Sequence, residues 1–241
     1  MLVPTRLLGA AGLALAIVLP AASGQATGVP ATERAHPLAP SNDREQQRPH
    51  GRLFAPQDLG LLEGPDRDAW QRPDQIMDFL EIAEGSVVAD LGAGGGWFTI
   101  RLARRVGPNG RVYAQDIQPE MIGAIERRVE REGLKNVETV LGSAHDPKLP
   151  DPVDVVLIVE TYYEMEDPRT LLRNVRKSLK PGGRVGIVEF SKDGHGPGPE
   201  IKDRVDPETV IRDAESAGLR LEARGDFLRY QYLLKFVADG R

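Results

Sequence analysis

Val87-Val88-Ala89-Asp90-Leu91-Gly92-Ala93-Gly94-Gly95-Gly96-Trp97 decides how this chain folds. A short apolar run ends in an acid, and a glycine cluster follows at once. The next residues, Phe98 to Arg105, place apolar and basic side chains at helical spacing. The order is buried strand, tight turn, helix. An open α/β sheet builds a nucleotide site in this way, because glycine permits a sharp turn and a backbone approach that any Cβ would block. A plain strand-to-helix turn gives the same local pattern, so the ligand has to be read from the spacing. A dinucleotide fingerprint needs glycine where Trp97 stands. Asp90, two residues before the first glycine, would repel a pyrophosphate and favour a cation.

Later segments repeat the alternation. Arg111 to Asp116 reads as a second strand ending in an acid, at the separation expected of a ribose-binding carboxylate. Asp116 can also serve as a cap, since Pro119 and Glu120 open the next helix. Val137 to Leu141 is a third strand. Val153 to Val159 is a fourth, aliphatic enough to be buried on both faces. Leu179-Lys180-Pro181-Gly182-Gly183 stops a helix ahead of a fifth strand that runs to Phe190. Helices are expected from about Pro73 to Glu84, after Asp116 with Met121, Ile122, Ile125 and Val129 on one face, from the cap Asp167, and from Asp206. Two closing strands are expected at Leu219 to Ala223 and Tyr230 to Val237.

Asp90-Leu91-Gly92-Ala93-Gly94-Gly95-Gly96 resembles the first motif of the class I S-adenosylmethionine-dependent methyltransferases, and the Leu-Lys-Pro-Gly-Gly segment is similar to one common in the same family. The likeness extends from about Arg67 to Val237. It implies an α/β, Rossmann-like methyltransferase fold: a central, mostly parallel seven-stranded sheet, helices on both faces and an antiparallel last strand. It also implies the cofactor S-adenosyl-L-methionine, which carries a sulfonium and an ammonium and no phosphate. The cofactor-binding residues implied are Asp90, Gly92, Ala93, Gly94, Gly96, Trp97, Asp116, Ile117, Ser143, Ala144 and Glu160. Ser143 departs from the family, in which an acid commonly follows Gly142 and reaches the adenine amino group. Ser143, His145 or Asp146 would have to replace that contact. Arg67 and Trp70 stand where related enzymes carry a lid. There Arg67 would meet the methionyl carboxylate and Trp70 would cover the sulfonium, unless Trp70 only anchors the segment. Trp97 either faces the pocket or packs inward.

The sulfonium makes the methyl group electrophilic before the protein acts, so the chain has mainly to align the partners and exclude water. A base is needed only where the acceptor must lose a proton. Candidates are Glu160, Tyr162, Glu164 and His195, the last in the Gly194–Pro199 loop. One of Tyr162 and Tyr163 is expected to pack against the following helix. The acceptor is expected to be a small molecule, with the quinone-type enzymes as the nearest flavour.

Composition agrees with this. The 241 residues contain no Cys, which excludes a cysteine nucleophile, a Cys-based zinc site, a disulfide framework and the thiols of an arsenite-type mechanism. The four His residues, at 36, 50, 145 and 195, lack metal-ligand spacing. A net charge of −5 argues against non-specific nucleic-acid binding. Arg101, Arg104 and Arg105 share a helix face that reads as solvated. No pattern that fixes an oligomeric state is present.

Residues 1–24 read as a secretory signal peptide: Arg6, an apolar run from Leu7 to Leu19, then small residues. An uncleaved anchor is the alternative; otherwise no stable membrane span is expected. Residues 25–64 read as a flexible Pro/polar linker, with order expected only near Leu53-Phe54, and 65–241 as the methyltransferase domain. The domain is therefore expected to be exported, into a periplasm. That conflicts with a cofactor made in the cytosol, and leaves an exported, non-catalytic binding protein as the rival reading. A dinucleotide oxidoreductase is weaker because of Trp97. Asp116→Ala is expected to lower affinity for S-adenosylmethionine by about tenfold or more in calorimetric titration while circular dichroism stays unchanged. Unchanged affinity would remove Asp116 from the site.

Overall fold

A computed structural model describes residues 52–193 and 196–239. The expected signal peptide, most of the expected linker and His195 lie outside the described residues. The ordered elements are α1 (Arg67–Gln71), α2 (Pro73–Phe79), β1 (Val87–Leu91), α3 (Trp97–Val106), β2 (Arg111–Asp116), α4 (Pro119–Arg131), β3 (Val137–Leu141), β4 (Val153–Val159), α5 (Pro168–Lys177), β5 (Leu179–Phe190), α6 (Pro207–Ser216), β6 (Leu219–Gly225) and β7 (Gln231–Ala238).

The strands form one seven-stranded sheet in the order β3-β2-β1-β4-β5-β7-β6. β1 to β5 pair in parallel, and β7 runs antiparallel to both β5 and β6. Alternation along β4 explains the two layers. Val156 and Ile158 join Leu171, Leu172 and Val175 of α5 and Val210 and Ile211 of α6 on one face. Val155 and Leu157 join Ile76, Met77 and Leu80, together with Leu102 and Val106 of α3, on the other. A strand covered by helices on both sides must be aliphatic along its covered length, as residues 155–159 are.

Caps fall where the sequence places them. The Asp167 carboxylate accepts from Thr170 N at 3.0 Å, and that of Asp206 from Glu208 N at 3.0 Å. On α4, Met121 and Ile125 are buried, whereas Ile122 and Val129 are only half covered, because this helix packs on β2 and the edge strand β3.

Three boundaries differ from expectation. First, α2 ends at Phe79 rather than near Glu84. Glu81 takes φ +54°, Ile82 N donates to Met77 O at 2.9 Å and Glu81 N to Asp78 O at 2.9 Å, which is a Schellman stop. Glu81 takes the place usual for glycine, and its carboxylate is held by Lys235 at 3.0 Å and Arg184 at 3.3 Å. Arg184 Nε also donates to Leu80 O at 2.6 Å, satisfying the open end of the helix. Second, β5 begins before the Pro-Gly-Gly segment. Leu179 already pairs with Val153, and the irregularity falls between that pair and Val155↔Arg184. Third, residues 52–64 are packed on the domain rather than serving as linker, and Pro56–Leu62 forms a 3-10 helix.

Gly186 in β5 lies beneath Leu80, and a Cβ there would stand 2.4 Å from Leu80 Cδ1. Gly186→Ala should overpack this layer and cost about 1–3 kcal/mol, read as a lower urea midpoint at unchanged slope.

Candidate active site

The carboxyl ends of β1, β2 and β4 open into one cavity of about 610 Å³. This is within the usual range for small-molecule sites. It lies beside β1 and β4, where the strand order reverses, which is where open α/β sheets hold their ligands.

The glycine turn forms its floor. Gly92 has φ +73°, and a Cβ on it would come within 2.3 Å of Thr161 Cγ2. Gly92 N and Ala93 N both donate to Gln115 O at 2.9 Å. Asp116 ties the turn to β2: its Oδ2 accepts from Gly94 N at 2.9 Å and its Oδ1 from Gln118 N at 3.0 Å. Each oxygen keeps a further lone pair, and Asp116 lines the cavity. Asp116 does not cap α4, whose N-cap is Gln118; its bond to Gln118 N closes a short turn ahead of the helix and leaves acceptor capacity for a ligand. Burial pushes its carboxyl up, against the pull of those backbone N–H groups. Asp90 is 3% exposed and accepts from Thr99 Oγ1 at 2.6 Å. Burial raises it to about 6, while Thr99 and Arg67 oppose the rise.

Trp97 both packs inward and borders the cavity. The guanidinium of Arg101 lies 3.5 Å and that of Arg67 4.3 Å from its ring centroid. Arg67 reaches the cavity as the sequence suggested, donating to Leu62 O at 2.6 Å. Trp70 does not line it. Trp70 stacks on Phe190 at 5.8 Å and Tyr230 at 6.3 Å, so it anchors the segment instead of covering a ligand. The basic face of α3 is neutralised. Arg101 meets Asp68 at 2.6 Å, Arg104 meets Glu132 at 2.7 Å, and Arg105 meets Asp78 at 2.5 Å.

Ile117, Ser143 and Ala144 line the adjoining wall. The Ser143 hydroxyl is partly committed, accepting from Asp146 N at 3.1 Å. His145 and Asp146 are exposed and off the cavity, so neither stands in for the missing acid.

At the end of β4, Glu160 lines the cavity with φ +53°. Glu164 and Tyr163 line it too, and Glu164 Oε2 accepts from Phe54 N at 3.1 Å. Burial pushes both Glu160 and Glu164 up. Tyr162 does not belong to this group. It is 1% exposed, and its hydroxyl donates to Asp213 Oδ2 at 2.6 Å inside the α6 layer. A residue beside Tyr163 points to the opposite side, so Tyr162 is structural and not catalytic.

Four features escaped the sequence reading. Residues 53–63 supply Phe54, Leu59, Leu62 and Glu63 to the cavity, and Glu63 pairs with Arg128 of α4. Thr161 borders the glycine turn. Gln71 and Gln231 support the cavity wall from behind. Glu189 is buried in β5 and accepts from Tyr162 N at 2.7 Å. A charge inside the aliphatic run of β5 was the one local signal; the others arise from contacts distant in sequence. Among the described residues there is no cluster suited to a metal ion, and no helix long and apolar enough to cross a membrane.

Residues 88–183 match a family model described as a methyltransferase domain. A demethylmenaquinone methyltransferase of Geobacillus stearothermophilus is 32% identical over 124 residues, covering 51% of this chain and 52% of that protein. An arsenite methyltransferase of Halobacterium salinarum is 34% identical over 112 residues, covering 46% of this chain and 29% of that protein. The chain thus spans about half or less of the length of these relatives. A solved S-adenosylmethionine-dependent methyltransferase from Aquifex aeolicus superposes with a TM-score of 0.72 at 27% identity, over 76% of this chain and 98% of that one.

Burial raises Glu189 from 4.5 to about 8, with Glu160 adding to the rise. The folded chain therefore holds a proton that the unfolded chain has lost. The resulting stability is complete below pH 4.5 and is lost as pH rises to about 8. Glu189→Gln should flatten this part of the unfolding free energy against pH, measured by urea titration between pH 5 and 8.

Proposed function

We propose that this chain, which belongs to the class I S-adenosylmethionine-dependent methyltransferases, transfers a methyl group from S-adenosyl-L-methionine to a small-molecule acceptor. The observation that carries this is the placement of Asp90 and Asp116 on either side of one glycine turn, in one cavity. Asp116 offers two oxygens to the ribose hydroxyls. Ile117, Ser143 and Ala144 form the adenine wall. Asp90, buried and lining the cavity, gives the cationic end a negative environment. These residues fit the cofactor, because the donors and acceptors left open match a ribose and a cation and none requires a phosphate.

When bound, the cofactor supplies an electrophilic methyl group. The chain's own part is to align and to dry the site. Leu59 and Leu62 press on the glycine turn, and the Glu63–Arg128 pair fixes them there. Alignment of this kind contributes up to about 7–11 kcal/mol for well-oriented reactants. Tyr163, Met165, Phe190 and Pro199 give the acceptor end a mainly apolar wall. That favours an apolar acceptor of the quinone type, and the absence of Cys disfavours arsenite. Glu164, with its carboxyl raised by burial, is the group placed to take a proton from an acceptor hydroxyl.

Calorimetric titration of the purified chain should give affinities of about micromolar for S-adenosylmethionine and S-adenosylhomocysteine and none for NAD. Absence of binding to the first two overturns the proposal.

A further inference from the structure

Four side chains close a ring behind the cavity wall. Arg67 Nε donates to Gln71 Oε1 at 2.9 Å, and Gln71 Nε2 donates to Gln231 Oε1 at 2.8 Å. Gln231 Nε2 donates to Glu160 Oε1 at 2.7 Å, and Glu160 Oε2 lies 3.5 Å from an Arg67 guanidinium nitrogen. The ring joins α1, β7 and the end of β4. Arg67 and Glu160 face the cavity, whereas Gln71 and Gln231, 0% and 4% exposed, stand behind them.

The ring has only one sense. A guanidinium only donates and a carboxylate only accepts. Each amide must therefore turn its oxygen toward Arg67 and its nitrogen toward Glu160. A flip of either would set two donors or two acceptors face to face. The backbone places Glu160, whose N donates to Val188 O at 2.9 Å, and Gln231 then sets the rotation of its carboxylate. Burial opposes both charges, drawing Arg67 down and Glu160 up, so the pair depends on its partners.

We propose that Gln71 and Gln231 are positioning residues, which hold Arg67 and Glu160 as a preformed pair of opposite charges for the α-amino-carboxylate end of the cofactor. This rests on the S-adenosylmethionine reading above. The methionyl end carries an ammonium and a carboxylate on one carbon. Arg67 meets the carboxylate and Glu160 the ammonium. A pair fixed in advance binds such a group without the cost of ordering two long side chains on arrival.

The test compares S-adenosylhomocysteine with 5′-deoxy-5′-methylthioadenosine, which has the same nucleoside and thioether but no amino-acid end. Gln231→Met should weaken S-adenosylhomocysteine by about tenfold or more and leave methylthioadenosine unchanged. A merely structural tie between α1 and β7 would weaken both alike or neither, and either result overturns the inference. The double variant Glu160→Gln/Gln231→Glu matches every donor and acceptor in the ring while moving the carboxylate back from the cavity, so it decides the matter if Gln231→Met fails to fold. It should keep the wild-type melting temperature and still bind S-adenosylhomocysteine weakly; wild-type affinity would overturn the inference. Wild-type protein that binds neither compound overturns the cofactor reading, and this inference with it. Wild-type protein that binds both, with the variants losing both alike, overturns this inference alone.

Discussion

At Gly92 the chain leaves β1 and turns against the Thr161 side chain, with no room for even one carbon between them. That contact joins the ends of β1 and β4, the two strands at which the sheet order reverses. It fixes the height of the glycine turn above the sheet. The turn in turn places its N–H groups on Gln115 and Asp116. A side chain at Gly92 would lift the turn, separate Asp116 from Gly94 N and open the cavity floor. Sheet pairing places Asp90 and Asp116, and this close approach sets the turn that runs between them.

The carboxyls gathered above it come at the expense of stability. Asp90, Glu160 and Glu189 are each buried and pushed up by desolvation. Each is held by a specific donor: Thr99, Gln231 and the Tyr162 backbone. A core shaped for stability alone would place apolar side chains here. Asp90 and Glu160 line the cavity, and their donors hold the two carboxyls in register there, whereas Glu189 stands off the cavity and keeps its proton in the folded chain.

The segment before α1 completes the site from outside the sheet. Leu59 and Leu62 lie on Gly95 and Gly94, Phe54 bridges Glu164 and Gln118, and Glu63 pairs with Arg128. Rich in leucine itself, it shares the linker reading of the polar, proline-containing residues before it because it lacks periodicity. Packing needs none when the partner surface is already formed: a few leucines against glycine backbone are enough.

The sequence by itself determined the sheet, its mostly parallel order and the glycine turn, because these depend on local patterns. The first five strand patterns alternate with helical stretches except between β3 and β4, caps such as Asp167 and Asp206 mark helix starts, and an acid stands before or at the end of two strands' turns. It also placed Asp90 and Asp116, whose roles come from their position at strand ends. Only the tertiary structure decided which neighbour faces the cavity. Tyr162 and Tyr163 are equivalent in composition and adjacent in sequence, yet a single residue of rotation sends one to Asp213 and the other to the site. The ring through Gln71 and Gln231 was equally hidden, since its hydrogen bonds span 160 and 71 residues. Periodicity reports which way a chain turns at each step; it carries no information on which distant side chain will be waiting there.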